Sequence, residues 1–109
     1  MLAEARHVGP LRRGPDVRHG RAGAVNRGTV VEIWLQVPAH QVVAAAFLAF
    51  GEPAAAACAE WTCGWLEGRP MAEAEALTGL AMVEALGLPQ SALGMALIVE
   101  DAVRAAVAG

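Results

Sequence analysis

The stretch from Phe47 to Gly68, FLAFGEPAAAACAEWTCGWLEG, most restricts what this chain can fold into. Its first residues predict the end of a β-strand, which turns at Gly51-Glu52-Pro53 into a helix. Proline suits a first helical position because its missing N–H would be unpaired there, and a carboxylate is stabilised near the positive end of the helix dipole. Gly68 is expected to end the helix. The stretch therefore predicts a strand, a tight corner and a helix laid on a sheet.

The predicted helix is apolar on the side opposite Glu60, Gly64 and Glu67. Its core-facing residues are predicted to be Ala54, Ala55, Cys58, Trp61, Thr62 and Trp65. Cys58 and Cys63 lie five residues apart, which places them about 140° apart around the helix axis. They are therefore not expected to bridge each other or to bind one metal ion. We predict two buried, reduced thiols, as in a cytoplasmic protein.

Two strands precede the corner. The segment from Val30 to Val37 alternates, with Val31, Ile33, Leu35 and Val37 predicted on the core face. A short turn at Pro38-Ala39-His40-Gln41 leads into a returning strand from Val42 to Phe50. In that strand Val43, Ala45, Phe47 and Ala49 share one face, and Val42, Ala44, Ala46, Leu48 and Phe50 share the other. Both faces are apolar, which hints at a covering partner such as a second copy of the chain.

Three helical segments follow the corner helix. Met71 to Leu77 and Gly79 to Leu86 predict two short helices, and a final helix is predicted from Gln90 or Ser91 to about Ala108. Their expected core residues include Leu77, Leu80 and Leu86. The final helix is apolar nearly all round from Ala92 to Val99 and is expected to be enclosed there, with Glu100, Asp101 and Arg104 facing solvent. The fold class predicted is α+β, a small antiparallel sheet of two to three strands packed against four helices.

The length of 109 residues predicts a single domain with one modest core. Residues 1–27 hold six arginines against two acids, whereas the remainder holds two arginines against nine acids. We predict that residues 1–28 form a basic, mostly irregular arm with a short strand at Gly23 to Asn26, and that residues 29–109 form the domain. The arm is interpreted as solvated; contact with an acidic partner or with its own body is the alternative, and nucleic acid is disfavoured because no aromatic residue lies among the arginines.

No membrane or catalytic function is indicated. The longest apolar run, Val42 to Phe50, is far shorter than the ~20 residues that span a bilayer. His7 and His19 lie among arginines and His40 lies in a turn, so all three are predicted to be exposed loop histidines. An enzyme is not expected, because no glycine-rich phosphate loop, nucleophile–base pair or metal-ligand spacing is present.

The strings F-x-x-F-G-x-P-A-A-A-A and W-L-E-G-R-P resemble the N-terminal domain of the NifU/IscU-type iron–sulfur cluster scaffold proteins. From Phe47 to Ala108 the register runs without a gap, and matching positions are Gly51, Trp65, Gly68, Glu73, Ala74, Leu86, Leu88, Pro89, Glu100, Asp101 and Ala102. Ala5-Arg6-His7-Val8-Gly9 is similar to the P-R-N-V-G string that follows the family's first helix, most of which is then missing or lies upstream of Met1. The resemblance implies a NifU/IscU-like fold.

The chain departs from the family at the positions that ligate the cluster. Where the family has C-G-D, this chain has Arg27-Gly28-Thr29; Glu52 replaces a cysteine, and Gly94-Met95 replaces a histidine–cysteine pair. An arginine offers no lone pair, and Glu52 is the only weak candidate for a metal ligand. No cofactor is expected, and iron or an iron–sulfur cluster only if the family function persists. We hypothesise an Arg27–Glu52 ion pair closing the vacant pocket, the alternative being that each side chain points to water.

The resemblance implies a scaffold-like protein of iron–sulfur cluster assembly that is ligand-degenerate and acts by protein–protein binding. Its implied partners are a cysteine desulfurase, a ligand-bearing scaffold relative or a second copy of itself. The alternative is a structural or regulatory oligomeric subunit that kept the fold without binding iron or a cluster. The surface predicted for self-association is the apolar outer sheet face, formed by Trp34, Val42, Ala44, Ala46, Leu48 and Phe50.

Overall fold

The structure, a computed structural model, describes residues 6–108. The chain runs through three strands and then four helices, which confirms the predicted α+β class. The strands are β1 (Val17–Ala24), β2 (Thr29–Gln36) and β3 (Ala44–Phe50), and the helices are α1 (Pro53–Leu66), α2 (Met71–Ala76), α3 (Gly79–Leu86) and α4 (Leu93–Ala108). Short 3-10 turns lie at Val25–Arg27, Pro38–His40 and Gln90–Ala92. No helix within the described residues is both long and apolar enough to cross a membrane.

The sheet is antiparallel with the order β1-β2-β3. Its central strand alternates as predicted, because Val31, Ile33 and Leu35 are fully buried on one face. Helix α4 packs across β1 and β2 on that face, and α1 packs on β3. The core therefore lies in one layer between the sheet and the helices.

Strand β1 lies inside the segment predicted to be mostly irregular, and that prediction is wrong for residues 17–24. The short strand predicted at Gly23 to Asn26 is misplaced, because β1 ends at Ala24 and a 3-10 turn follows. The sequence of β1, VRHGRAGA, lacks apolar alternation because its inward positions are small where α4 lies close. The first five residues of the predicted arm lie outside the described part of the chain.

Gly20 is the closest approach between β1 and α4. A Cβ atom added there would lie 2.1 Å from the backbone nitrogen of Ala106 and 2.3 Å from the carbonyl oxygen of Ala102. Such distances are far inside van der Waals contact, so only glycine fits at this crossing.

The start of the returning strand differs from the prediction. Val42 is buried in the core and Val43 is 51% exposed, which is the reverse of the predicted faces. The backbone N–H of Val42 donates to the carbonyl oxygen of Arg69, and the N–H of Gly68 donates to the carbonyl oxygen of Val42. Residue 42 is thus tied to the loop after α1, and the strand alternation begins only at Ala44. Ala45 and Phe47 are buried as predicted.

Helix α1 begins at Pro53 as predicted, but its buried face is rotated by about one residue. The buried residues are Ala55, Cys58, Ala59, Thr62, Cys63 and Leu66. Trp61 and Trp65 are only half-buried; their rings stack at 6.1 Å, and the guanidinium of Arg69 lies 4.0 Å from the Trp65 ring centre. Small residues occupy the centre of the contact because the helix lies close to the sheet, which leaves the indole rings at its margin.

The remaining helices agree with the predicted bounds to within three residues, with a 3-10 turn at Gln90–Ala92 where the final helix was predicted to begin, but not with every predicted environment. Leu77 is buried and Leu86 is half-buried. Leu80 is exposed, because the neighbouring residue Gly79 is the one that faces α4. The first half of α4 is not enclosed, since Leu97 is exposed. Glu100 was expected to face solvent, but it accepts a hydrogen bond from the backbone N–H of Gly79 at 2.7 Å and so caps α3.

Candidate functional site

Three chain segments meet at one corner of the molecule: the start of β2, the end of β3 and the first turn of α4. Gly51, with φ of +109°, follows β3, and a Cβ atom added to it would lie 1.9 Å from the carbonyl oxygen of Gly28 and 3.0 Å from Thr29 Oγ1. The hydroxyl of Thr29 donates to the sulfur of Met95 at 3.4 Å. The structure therefore brings residues 28–29, 51–52 and 95 together; we call this region the cluster corner.

The centre of the cluster corner is closed by the contact between Thr29 and Met95. Thr29 is 2% exposed, and Met95 is half-buried. A thioether is a weak hydrogen-bond acceptor and a neutral, weak metal ligand, and a threonine hydroxyl keeps its proton at neutral pH. Both residues stand at predicted ligand positions, but their contact was not predictable because they lie 66 residues apart in the chain.

The hypothesised ion pair between Arg27 and Glu52 is wrong. Both residues are exposed, and neither belongs to any ion pair among residues 6–108. Arg27 ends a 3-10 turn that Gly28 closes, and Glu52 has an extended backbone in front of α1. An exposed pair would gain little, typically about 0–1 kcal/mol, which does not compensate for ordering two long side chains.

The donor set at this corner does not fit an iron–sulfur cluster. Cluster iron is held by thiolates that converge from separate elements, and the corner offers a hydroxyl, a thioether and one exposed carboxylate. Gly94 is exposed and contributes no side chain. Within residues 6–108, no group of three or more His, Cys, Asp or Glu side chains is placed to hold a metal ion.

The two cysteines lie elsewhere, on the buried side of α1, and are free thiols as predicted. Burial raises the pKa of Cys58. Burial raises the pKa of Cys63 as well, with the negative charges of Glu60 and Glu67 adding to the effect. Both sulfurs therefore stay protonated and inert, because the thiolate is the form that reacts and binds metal.

His7 fastens the beginning of the described chain to the body, which sequence analysis missed. Its Nδ1 atom hydrogen-bonds to Glu60, and its Nε2 atom lies 2.9 Å from Glu67 Oε1. The backbone N–H groups of Arg6 and His7 also donate to Glu60 Oε1, at 2.7 and 3.0 Å. The prediction of an exposed loop histidine is thus wrong for His7. The carboxylates of Glu60 and Glu67, which the sequence assigned to a solvent face, were the one available signal.

The same segment pairs with the edge of the sheet through one β-bridge, between Val8 and Phe47. The N–H of Phe47 donates to the carbonyl oxygen of His7 at 2.7 Å, and the N–H of Gly9 donates to the carbonyl oxygen of Phe47 at 2.9 Å. Residues 7–9 therefore lie parallel to β3 at its outer edge. We refer to residues 6–9 as the strap.

The contacts of the strap shift the pKa values of its ionisable groups. Partial burial disfavours protonated His7, but the hydrogen bonds to Glu67 and Glu60 outweigh it and raise the pKa of His7 above 6.5. Partial burial likewise opposes ionised Glu60, but the hydrogen bonds from His7 outweigh it and lower the pKa of Glu60 below 4.5. The ion pair is therefore complete between these two shifted pKa values.

We expect the strap to loosen as the pH rises. The contribution of His7 to stability is fully present below pH 6.5 and is lost as the pH rises through its raised pKa, while that of Glu60 is present above pH 4.5 and lost on acidification below its lowered pKa. At pH 6, His7→Ala should lower the free energy of unfolding by about 1 kcal/mol, and by less at pH 9. Urea unfolding at both pH values measures this. His7→Gln, which cannot be charged, should show a smaller pH dependence of the free energy of unfolding than the native chain; an equal dependence in the two proteins would contradict the assignment.

His19 also differs from the prediction, because it lies on β1 rather than in a loop. Its Nε2 atom lies 2.9 Å from Glu32 Oε1, and its ring stacks on Trp34 with centroids 4.7 Å apart. Trp34 is consequently half covered by the chain itself. His40 lies in the exposed turn before β3, as predicted.

The fold and the cluster corner together define a small scaffold-type α+β domain. All of the chain, residues 1–109, matches the family model described as NifU-like N terminal domain. The chain belongs to that family, which confirms the resemblance drawn from its sequence.

Relatives by sequence agree with this assignment. The chain is 33% identical over 104 residues to the iron-sulfur cluster assembly scaffold protein IscU of Azotobacter vinelandii, which covers 94% of this chain and 81% of that protein. It is 30% identical over 105 residues to the protein of the same name from Rickettsia prowazekii, covering 94% of this chain and 80% of that protein.

Solved structures share the fold. A NifU-like protein (N-terminal) from Brucella abortus superposes with a TM-score of 0.60 at 16% identity, covering 93% of this chain and 71% of that one. A putative iron-sulfur cluster assembly scaffold protein for the SUF system, from Fervidobacterium islandicum AW-1, gives a TM-score of 0.56 at 15% identity, with coverage of 91% and 73%. At these identities the likeness establishes the architecture alone.

Proposed function

We propose that this protein takes part in iron–sulfur cluster assembly as a scaffold-like protein that binds other proteins and does not itself hold the cluster. Its relatives named as scaffold proteins support the process. The contact between Thr29 and Met95 at the centre of the cluster corner supports the loss of cluster binding. That contact is the observation on which the proposal depends.

We propose further that the cluster corner corresponds to the family's ligand positions. The five positions are Arg27, Thr29, Glu52, Gly94 and Met95, taken from the register of the sequence. The meeting of residues 28–29, 51–52 and 95 supports this assignment, because ligands of one cluster must converge. Glu52 is the only one of the five with an anionic side chain, and alone it is too weak to retain iron.

The partners we propose are a cysteine desulfurase or a ligand-bearing scaffold relative, in the cytoplasm. Two fully buried, protonated cysteines suit a reducing compartment, since neither is placed to form a disulfide. We propose no enzymatic activity. The histidines are engaged in hydrogen bonds to Glu60, Glu67 and Glu32 or lie in the exposed turn.

Binding to a cysteine desulfurase tests this proposal. The purified chain should co-elute with the desulfurase of its own organism, and calorimetry should give a saturable isotherm. Because Glu52 is exposed at the cluster corner, Glu52→Arg should weaken binding by about tenfold, whereas the matched reversal Glu75→Arg on α2 should leave it unchanged. Absence of binding to both the desulfurase and a ligand-bearing relative would contradict the proposal.

The alternative, a structural or regulatory oligomeric subunit, has less support. Of the outer-face residues predicted to mediate self-association, Val42 and Ala46 are buried within the chain itself. Leu48 and Phe50 remain exposed at 38% and 61%. Stable self-association without any desulfurase binding would favour this alternative.

A further inference from the structure

The two edge strands of the sheet differ in whether another segment of the chain pairs with them. The edge at β3 is paired with the strap at Phe47, in the middle of the strand. The edge at β1 ends the strand order β1-β2-β3. An edge strand directs unpaired N–H and C=O groups outward and is a template for another strand unless it is covered.

The backbone of β1 is open along most of its length. The N–H of Val17 donates to the carbonyl oxygen of Gly14 at 3.1 Å, which closes only the first position. For residues 18–24, no backbone hydrogen bond within the described chain leads to any element other than β2. In an antiparallel strand the backbone N–H and C=O groups of every second residue point away from the neighbouring strand. About half of residues 18–24 therefore have backbone donors and acceptors with no partner in the sheet.

The open edge is basic. Arg21 is exposed, and Arg18 is held at this side of the sheet by a hydrogen bond from its Nη1 atom to the carbonyl oxygen of Val107 at 3.1 Å. The nearby acid Glu32 is already engaged by His19. Pairing of β1 with its counterpart in a second copy would bring like charges together, which is destabilising. An acidic segment has the opposite charge.

A groove lies beside β1 on the outer face of the sheet. It has a volume of about 710 Å³ and is lined by Pro10, Leu11, Arg13 and Gly14 from the preceding segment and by Val17, His19, Glu32 and Trp34 from the sheet. A strand added next to β1 would direct every second side chain to this face. In strand addition, main-chain hydrogen bonds supply affinity and such pockets supply specificity.

We propose that the β1 edge binds an extended acidic segment of a partner protein by strand addition, with a bulky apolar side chain of that segment entering the groove. The proposal depends on the edge, its charge and the groove. It stands independently of the proposed role in cluster assembly, because the cluster corner contributes none of its residues.

A synthetic peptide tests the proposal. The probe is a fluorescein-labelled ten-residue peptide with one central tryptophan, in which glutamate occupies every second position counted from the tryptophan and valine the positions between. The glutamates then share the outer face with His19 and Arg21, which lie two residues apart on β1. Fluorescence anisotropy should give saturable binding, and the amides of residues 18–24 should become protected from hydrogen exchange. A peptide with lysine in place of glutamate should not bind. A peptide of the same charge with proline at alternate positions should not bind either, because it cannot form the ladder.

Variants of the protein distinguish the contribution of the arginine charge from that of the groove. Arg21→Glu should weaken binding of the acidic peptide by about fivefold, and the matched reversal Arg104→Glu on α4 should not change it. Gly14→Trp should also weaken binding, because a Cβ atom at Gly14 meets nothing within 4 Å and a large side chain there fills the groove. Circular dichroism confirms that each variant is folded.

Three outcomes would overturn the proposal. They are no binding of the acidic peptide, equal binding of the proline-containing peptide, and protection from exchange confined to residues outside β1. The second outcome would mean that charge alone attracts the peptide. Binding to the desulfurase is measured separately, so failure here and failure of the proposed function are distinguishable.

Discussion

Replacement of Gly20 by alanine is expected to lower the free energy of unfolding by about 3 kcal/mol or more, which corresponds to a fall in Tm of about 15 °C. The added Cβ atom would lie 2.1 and 2.3 Å from backbone atoms of Ala106 and Ala102. Backbone atoms cannot move aside as the end of a flexible side chain can. The helix α4 and the strand β1 must separate, and α4 is the helix against which β1 mainly packs.

Thermal and urea unfolding of Gly20→Ala measure this effect, and Gly64→Ala is the matched control. Gly64 lies in α1, where an added Cβ atom would make only an ordinary contact of 3.7 Å with His7 Cε1. Because alanine has the higher helix propensity, Gly64→Ala should stabilise the protein by about 0.5–1 kcal/mol. Equal stability of Gly20→Ala and the native protein would mean that α4 does not cross β1 in the way described.

Introducing the family's ligand types at the five proposed positions is expected to create cluster binding. This restored variant carries Arg27→Cys, Thr29→Asp, Glu52→Cys, Gly94→His and Met95→Cys, which replaces every side chain at the proposed ligand positions. Because the backbone already brings these segments together, three thiolates would converge on one point. After anaerobic reconstitution, retained iron and sulfide should exceed the native amounts by at least about tenfold.

The buried cysteines provide the control for this experiment. Adding Cys58→Ala and Cys63→Ala to the restored variant should leave the iron and sulfide content unchanged, because both sulfurs are buried away from the corner. If cluster binding disappeared with these two changes, the cluster would be using the α1 cysteines. If the restored variant folded but held no cluster, the backbone of the cluster corner would not place the five positions as a cluster requires.

The parts of the fold that the sequence predicted are those where side chains carry the signal. The alternation of β2 and the start of α1 at a proline both follow from the properties of neighbouring residues in the sequence. Both predictions are confirmed. Strand β1 was missed because its fit to α4 depends on the absence of a side chain at Gly20, which resembles loop composition. The early reversal at Val42 was missed because it depends on hydrogen bonds to the loop after α1.

The candidate site was predictable as a set of positions but not as a set of contacts. The register located the substituted residues, whereas the hydrogen bond from Thr29 to Met95 depends on how α4 meets β2. Opposite charge suggested a pair between Arg27 and Glu52, yet both residues are exposed. The contacts of the strap were not predictable either, because its partners Glu60 and Glu67 lie more than 50 residues away in sequence.

The most direct test of the account is the metal content of the native chain. Protein purified without oxygen is incubated with ferrous iron, sulfide and a thiol reductant, desalted, and assayed for iron and acid-labile sulfide alongside the restored variant. We predict that the native chain retains less than about 0.1 iron per chain, because a hydroxyl, a thioether and a single carboxylate do not hold cluster iron. Stoichiometric iron and sulfide, lost on Glu52→Ala, would contradict the central claim that this chain keeps the scaffold fold without its ligand set.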